Sequence, residues 1–494
     1  MSTEDCSYSE TRNNRMKKSI EKITYCFVII AALFVSFVSF VEPLVMKDIN
    51  ITKVILVLLC YAAVFTGSLT LFRRLSERTL YYLTIAGIFA AVIVQTYIVF
   101  HMRLVPKVDL NHIYDYCVDM VETGKISYAE SKYFAYNTNN IPLAIVIYYV
   151  FRMASFAGMD YRIAAGLFNV LLILVMYVSA FLILKKVTTI RTTAVYMALF
   201  LTNPSFYAYA SYYYTDTISA GLVMAAVCFI IYGCYKKKNH WKMIHFLAAG
   251  FLIGFATCLR VTSIFIVLAV GVWILLNKYW KKLLTLGIPL VCGLLIFQLA
   301  WGGVYRYHVD MDTYDSAITI EHFLMMGSHG NGTYNVKDMR FTRSFPTHEE
   351  KVENNKKVYL EHLRENGVLG NLKLAIKKEA IVWGIGTHGY TQYTKNVVEK
   401  TTCYDWLVGK KSGLFRTYMQ AYNIVLYVLI LSGVCCTFRK KKTDKYSWIL
   451  AIYWCGALVF YIFWEAHPRQ SVSILPLLTM LAVPWIERSC IVRD

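Results

Sequence analysis

Apolar runs of roughly 20 residues, the length a helix needs to cross the hydrocarbon of a bilayer, recur along this chain, and charge or turn residues bound each one. Twelve runs qualify, near 23–41, 53–72, 79–101, 163–184, 192–210, 218–234, 243–259, 262–277, 283–304, 417–437, 447–465 and 470–487. At 57% hydrophobic over 494 residues the chain is too apolar for an ordinary soluble enzyme. The fold class that follows is an all-α polytopic membrane protein: a bundle of about 12 transmembrane helices with two extracytoplasmic segments.

The net charge of +20 does not indicate a nucleic-acid partner, because the cations are not spread over one surface. They fall in short clusters between the runs: Lys17-Lys18, Arg73-Arg74, Lys185-Lys186, Lys236 to Lys238, Lys281-Lys282 and Arg439 to Lys442. With the basic N-terminus inside, the later clusters all land on the cytoplasmic face, as the positive-inside rule requires, and so does the tail with Arg488 and Arg493. A multi-pass protein of the cell membrane with both termini cytoplasmic is expected. Its divisions are a tail (1–22), a transmembrane region (23–304) containing a first outer loop (102–162), an outer soluble segment (305–416), C-terminal transmembrane helices (417–487) and a short tail (488–494).

The run Ile141 to Ala157 does not fit this count, since a crossing there would move every later basic cluster outside. It is short, starts at Asn-Asn-Ile-Pro and contains Arg152, which suits an interfacial or re-entrant helix. In the second outer segment, Thr347 to Glu365 reads as a charged helix opened by a Pro-Thr turn, interrupted by Gly367 and Gly370. The thirteen cysteines are scattered, with no Cys-x-x-Cys pair near histidines, so neither a zinc site nor a disulfide framework is indicated.

Chemistry is expected at the outer face, where acids, histidines and tyrosines concentrate. Asp109, in Pro-Lys-Val-Asp-Leu-Asn-His, follows the third run closely, so its carboxylate lies beside the bilayer. Partial desolvation there raises its proton affinity and suits a general base; a loop acid capping the next helix is the other reading. Asp216 closes Ser-Tyr-Tyr-Tyr-Thr-Asp-Thr, either as a sugar-binding carboxylate flanked by rings or as the N-cap of the following helix. Arg260 interrupts two apolar runs, a costly place for a cation, where it either holds a phosphate or snorkels to headgroups. Trp-Glu-Ala-His-Pro-Arg-Gln places Glu465, His467 and Arg469 in the last outer turn. Arg469 is a second phosphate candidate, or the partner of Glu465 in a structural ion pair. His322, in His-Phe-Leu-Met-Met-Gly, and His388, in Trp-Gly-Ile-Gly-Thr-His-Gly-Tyr, combine aromatics, glycine and a histidine as carbohydrate pockets do, and as plain packing motifs also do.

Taken in order, these residues resemble the C-type glycosyltransferase superfold, in particular a Gram-positive bacterial subgroup of family 39-like proteins similar to protein O-mannosyltransferases and aminoarabinose transferases. The resemblance rests on Asp109, Tyr133-Phe134-Ala135-Tyr136 with Asn139-Asn140, Tyr214-Thr215-Asp216, Arg260-Val-Thr-Ser, His322 with Met325-Met326-Gly327, Trp383 with Gly386, and Glu465 with Pro468-Arg469, across roughly 100–485. It departs from that pattern at Leu110 and Gln470, where relatives often carry Glu and Tyr. The resemblance implies an inverting hexosyl or pentosyl transfer from a polyprenyl-phosphate sugar to an envelope polymer, lipid or protein. It implies Asp109 as catalytic base, with Arg260 and Arg469 holding the phosphate; Asp216, His322, His388 and His467 are the further substrate-binding candidates. No cofactor is required and no metal ligand set is expected. The rival functions are an O-antigen-type polymerase or ligase, which uses a polyprenyl diphosphate glycan, and a polytopic transporter or lipid flippase.

Overall fold

The computed structural model describes residues 3–45, 49–123, 132–277, 282–309, 313–440 and 445–490, and every described regular element is helical. Among the described residues nine helices are long and apolar enough to cross a membrane: Met16–Val45, Ile51–Arg74, Glu77–His101, Tyr161–Val187, Thr215–Tyr235, Asn239–Leu259, Leu283–His308, Gly413–Arg439 and Tyr446–Phe463. These match nine of the twelve expected runs. The first belongs to a longer helix, Thr3–Val45, that takes in most of the expected polar tail.

The other three runs form shorter or broken helices. Ile190–Leu201 ends just before Asn203-Pro204, where Asn203 Oδ1 accepts from Ser205 N at 3.0 Å and turns the chain. Val261–Ile264 is a 3₁₀ turn ahead of Phe265–Leu276. The last run is split into Pro468–Ser473, Leu475–Thr479, Met480–Ala482 and Val483–Cys490. Pro468, Pro476 and Pro484 each stand within the first two residues of one of those pieces, the place where a missing N–H costs nothing. Hydropathy registers such a run as continuous, whereas the prolines divide it.

Close helix packing is set by small residues. A Cβ on Gly250 would run into the Leu290 carbonyl, and one on Gly293 into that of Leu247, so these two glycines let Asn239–Leu259 and Leu283–His308 approach backbone to backbone.

The two long segments between spans, expected from the sequence at the outer face, are pinned to the bundle by hydrogen bonds. Val105 N donates to Asn396 O and Val398 N to Arg103 O, both at 2.9 Å, joining the first of these segments to the second. In the second, Thr347 and Glu350 form a capping box at the start of His348–Gly384. That helix kinks at Gly367, whose φ of 59° only glycine adopts without strain, while Gly370 stays helical. Lys378, 1% exposed, donates to Gly327 O at 2.8 Å and Ile462 O at 2.7 Å, tying this segment to the end of a membrane span.

Ile141–Phe156 has 16 residues, about 24 Å of helix against roughly 30 Å of hydrocarbon. It lies against Asp109–Thr123, with Tyr114 edge-on to Phe151, and Phe151 stacks on Tyr161 at the start of the next span. The bundle thus has two unlike ends. One carries Asp109, Asp216, Arg260 and Arg469. At the other, Arg73 donates to Ser489 O, Lys17 to Asn277, Lys185 lies over Tyr81, and Lys440 faces Glu487. Lys281, Lys441-Lys442 and Arg493 of the expected basic clusters lie outside the described residues.

Candidate functional site

Three chain breaks build the centre of the polar end. Thr215–Tyr235 begins after an extended Tyr214, which takes the N-cap position expected for Asp216, and Asp216 stands in the first turn, where the helix dipole favours a negative charge. Asn239–Leu259 stops at an extended Arg260. Arg469 follows Pro468 in the 3₁₀ turn that His467 caps. Each interruption turns a charged side chain toward the same point.

There, Arg260 Nη2 lies 2.6 Å from Asp216 Oδ1 and Arg469 Nε lies 2.9 Å from Oδ2. The Asp216 side chain is 2% exposed, Arg260 16% and Arg469 14%. Arg469 Nη1 also donates to Tyr212 Oη at 2.7 Å, and its guanidinium stacks between Tyr393 and Tyr214, 4.4 and 4.5 Å from the ring centres. The pairing of Arg469 is therefore with Asp216. Two largely buried guanidiniums share one carboxylate, and among the described residues no group accepts a hydrogen bond from the buried Arg260 Nε. A buried cation with an unused donor is costly unless something anionic completes it.

Asp109 is the next link. Its predecessor Val108 has φ 54°, a left-handed conformation that is strained for a β-branched residue and tends to occur at functional sites. Asp109 Oδ1 accepts from Tyr133 Oη at 2.8 Å, and Tyr214 Oη lies 3.4 Å from Oδ2 and 3.1 Å from Asn140 Oδ1. Asn140 Nδ2 donates to Tyr133 Oη at 2.6 Å, and His112 stacks on the Tyr133 ring at 4.2 Å. Burial, then the nearby Asp109 charge, pushes Tyr133 well above the usual phenol range, so it remains a donor. A carboxylate oriented by two phenols thus reaches the arginine pair through the Tyr214 ring.

Glu465 and His467 lie beside this network. Burial raises Glu465 to about 7 against the opposing pull of Arg469 and Arg260. Burial, followed by the same two arginines, lowers His467 to about 3. The neutral ring accepts from Arg469 N at its Nδ1, 3.2 Å away, which leaves Nε2 to donate to Tyr393 Oη at 2.8 Å.

Asp109, Asp216, Arg260, His467 and Arg469 are therefore brought together. His388 has φ 50° and is committed to Ser471 Oγ at 2.9 Å, while its carbonyl accepts from Tyr209 Oη at 2.7 Å. His322 bonds Thr342 Oγ1 at 2.7 Å, and Thr342 donates to Asn355 at 2.9 Å, inside the second outer segment. Burial lowers both histidines to about 4. Sequence reasoning missed Tyr393, one tyrosine among 38 with no local pattern to mark it. It also missed Lys378, which sits inside an ordinary run of charge.

A family model described as "Conserved hypothetical integral membrane protein" matches residues 13–490. No curated protein matches the chain. Among solved structures, the crystal structure of ArnT from Cupriavidus metallidurans bound to undecaprenyl phosphate is similar over 82% of this chain and 77% of that one, at 12% identity and a TM-score of 0.37.

Proposed function

This chain belongs to the family described as conserved hypothetical integral membrane proteins, and we propose that it is a membrane glycosyltransferase moving a sugar from a polyprenyl-phosphate donor to a cell-envelope acceptor on the extracytoplasmic face. The observation that carries this reading is the pair of buried arginines sharing Asp216, with the unused Arg260 Nε beside them. That arrangement offers fixed positive charge and a free donor to a phosphate monoanion or dianion. Asp109, held by Tyr133, supplies the base within the same network.

In the proposed reaction Asp109 takes the proton of an acceptor hydroxyl. The oxygen attacks the anomeric carbon from the side opposite the phosphate, the carbon–oxygen bond to phosphate breaks, and polyprenyl phosphate departs with the electron pair, so the anomeric configuration inverts. Arg260 and Arg469 stabilise the charge that develops on the leaving oxygen. The donor brings its own leaving group, so this route needs no metal. The basic end of the bundle then faces the cytoplasm, together with both termini.

The test is mass analysis of envelope glycans in a strain lacking the gene, complemented with wild-type or Asp109→Asn protein. The reading expects one glycan substituent to vanish on deletion and to return only with the wild type. Unchanged glycans, or full rescue by the carboxamide, would count against it. Supplying purified protein with a monosaccharide polyprenyl phosphate or an oligosaccharide polyprenyl diphosphate separates a transferase from a polymerase.

A further inference from the structure

The basic end of the bundle contains a cavity of about 360 Å³, and none of the residues lining it belongs to the Asp109–Asp216 network. It lies where several spans converge, and most of its wall is apolar: Val227, Ile231, Phe246, Val270, Trp273 and Leu450 among others. Its rim has a different character. Tyr235 and Tyr446 stack there with ring centres 6.5 Å apart, and Lys186 Nζ lies 4.8 Å over the Tyr235 ring. Lys440 is also at the rim, 3.8 Å from Glu487. In sequence, Lys236 directly follows Tyr235, and Arg439 directly precedes Lys440. Lys186 and Lys440 thus accompany Glu487 at the mouth of a largely apolar chamber, with Lys236 and Arg439 next in sequence.

An apolar chamber of this size with an aromatic and cationic lip is complementary to an amphiphile with a hydrocarbon tail and a negative head. We propose that this cavity is a binding site for an anionic phospholipid of the leaflet on the basic face, with one acyl chain among Val227, Ile231 and Val270 and the phosphate at Lys440 and Lys186. Basic pockets between spans are suited to such headgroups. The proposal does not depend on the transferase reading, and its test requires no activity.

Trp273 supplies the test, because it lines the cavity yet is 6% exposed, so bulk lipid does not reach it. The purified full-length protein is placed in nanodiscs containing phosphatidylcholine with a small fraction of either phosphatidylglycerol or phosphatidylcholine brominated on the acyl chains. Tryptophan quenching is compared between wild type and W273F, and the Trp273 share is their difference. The proposal expects that share to be quenched at about fivefold lower mole fraction of the brominated anionic lipid than of the zwitterionic one, the factor one nearby cation contributes. It expects the preference to shrink in K440Q.

Quenching confined to residues other than Trp273 would overturn the proposal by leaving the cavity empty. Equal quenching by both lipids, unaltered in K440Q, would overturn the headgroup assignment. Displacement of the brominated lipid by added polyprenyl phosphate would reassign the cavity to the donor's tail and overturn it as well. I231F, which adds bulk to the chamber wall while keeping Trp273 and Lys440, serves as a second variant and is expected to reduce the Trp273 share.

Discussion

The two ends of this bundle handle the cost of burial in opposite ways. At the end that carries Asp109 and Asp216, charge is buried: Asp216 is 2% exposed between two arginines, and three tyrosines wrap the guanidinium of Arg469. At the basic end, cations stand near the mouth of a chamber whose wall is mostly apolar. The contrast teaches where chemistry can occur. Fixed, desolvated dipoles and charges stabilise developing charge far better than solvated ones do, whereas a solvated lysine ring mainly attracts anionic lipid.

The largest expected effect comes from stripping the outer centre of its acid. Asp216→Ala leaves two guanidiniums without their carboxylate, and removing one partner of a buried pair costs about 3–5 kcal/mol. A sharp fall in the thermal midpoint of the purified protein, with loss of transfer, is expected. An unchanged midpoint would erase the contrast between the ends. Next is Tyr133→Phe, which removes a hydrogen bond to a charged carboxylate, an interaction of about 1.5–3 kcal/mol. Turnover should fall roughly 10- to 100-fold, since each 1.4 kcal/mol is a factor of ten, while affinity for polyprenyl phosphate is retained.

A subtler effect concerns pH. Folded Glu465 keeps its proton to about 7, whereas the unfolded chain releases it near the ordinary 4.5. Its contribution to stability is complete below 4.5 and is lost as pH rises through 7. His467 runs the other way: folded it resists protonation until about 3, so between 6.5 and 3 the unfolded chain takes the proton first and acid destabilises. Thermal midpoints recorded from pH 4 to 8 should therefore lose their decline toward neutrality in Glu465→Gln. The smallest effect is reserved for Thr342→Val, which strips His322 and Asn355 of a partner away from the centre. It should lower stability by about 1–3 kcal/mol and leave turnover alone; a large loss of turnover would extend the site into the second outer segment.

Much of the fold was legible because hydrocarbon imposes length. Nine runs became full spans, and two of the three departures follow from Pro204, Pro468, Pro476 and Pro484, whose effect a hydropathy average hides. The kink at Gly367 and the capping of Thr347 were equally readable as local signals. Of the candidate site, the charged residues at run boundaries stood out because cations and acids are expensive there. Their pairing did not. Asp216 could be matched to Arg260 and Arg469 only once three distant chain breaks were folded to one point, and the sequence suggested Glu465 for Arg469 instead. His322 and His388 lie in aromatic and glycine-rich stretches that describe packing as well as they describe a pocket, and both rings are engaged by hydroxyls.

The most direct test of the central claim is to measure donor binding and transfer separately in purified Asp109→Asn protein. With the arginine pair intact, this variant should bind polyprenyl phosphate as the wild type does, while sugar transfer falls by about 10²- to 10⁴-fold, the range for loss of a general base. Transfer at the wild-type rate by Asp109→Asn would contradict the account.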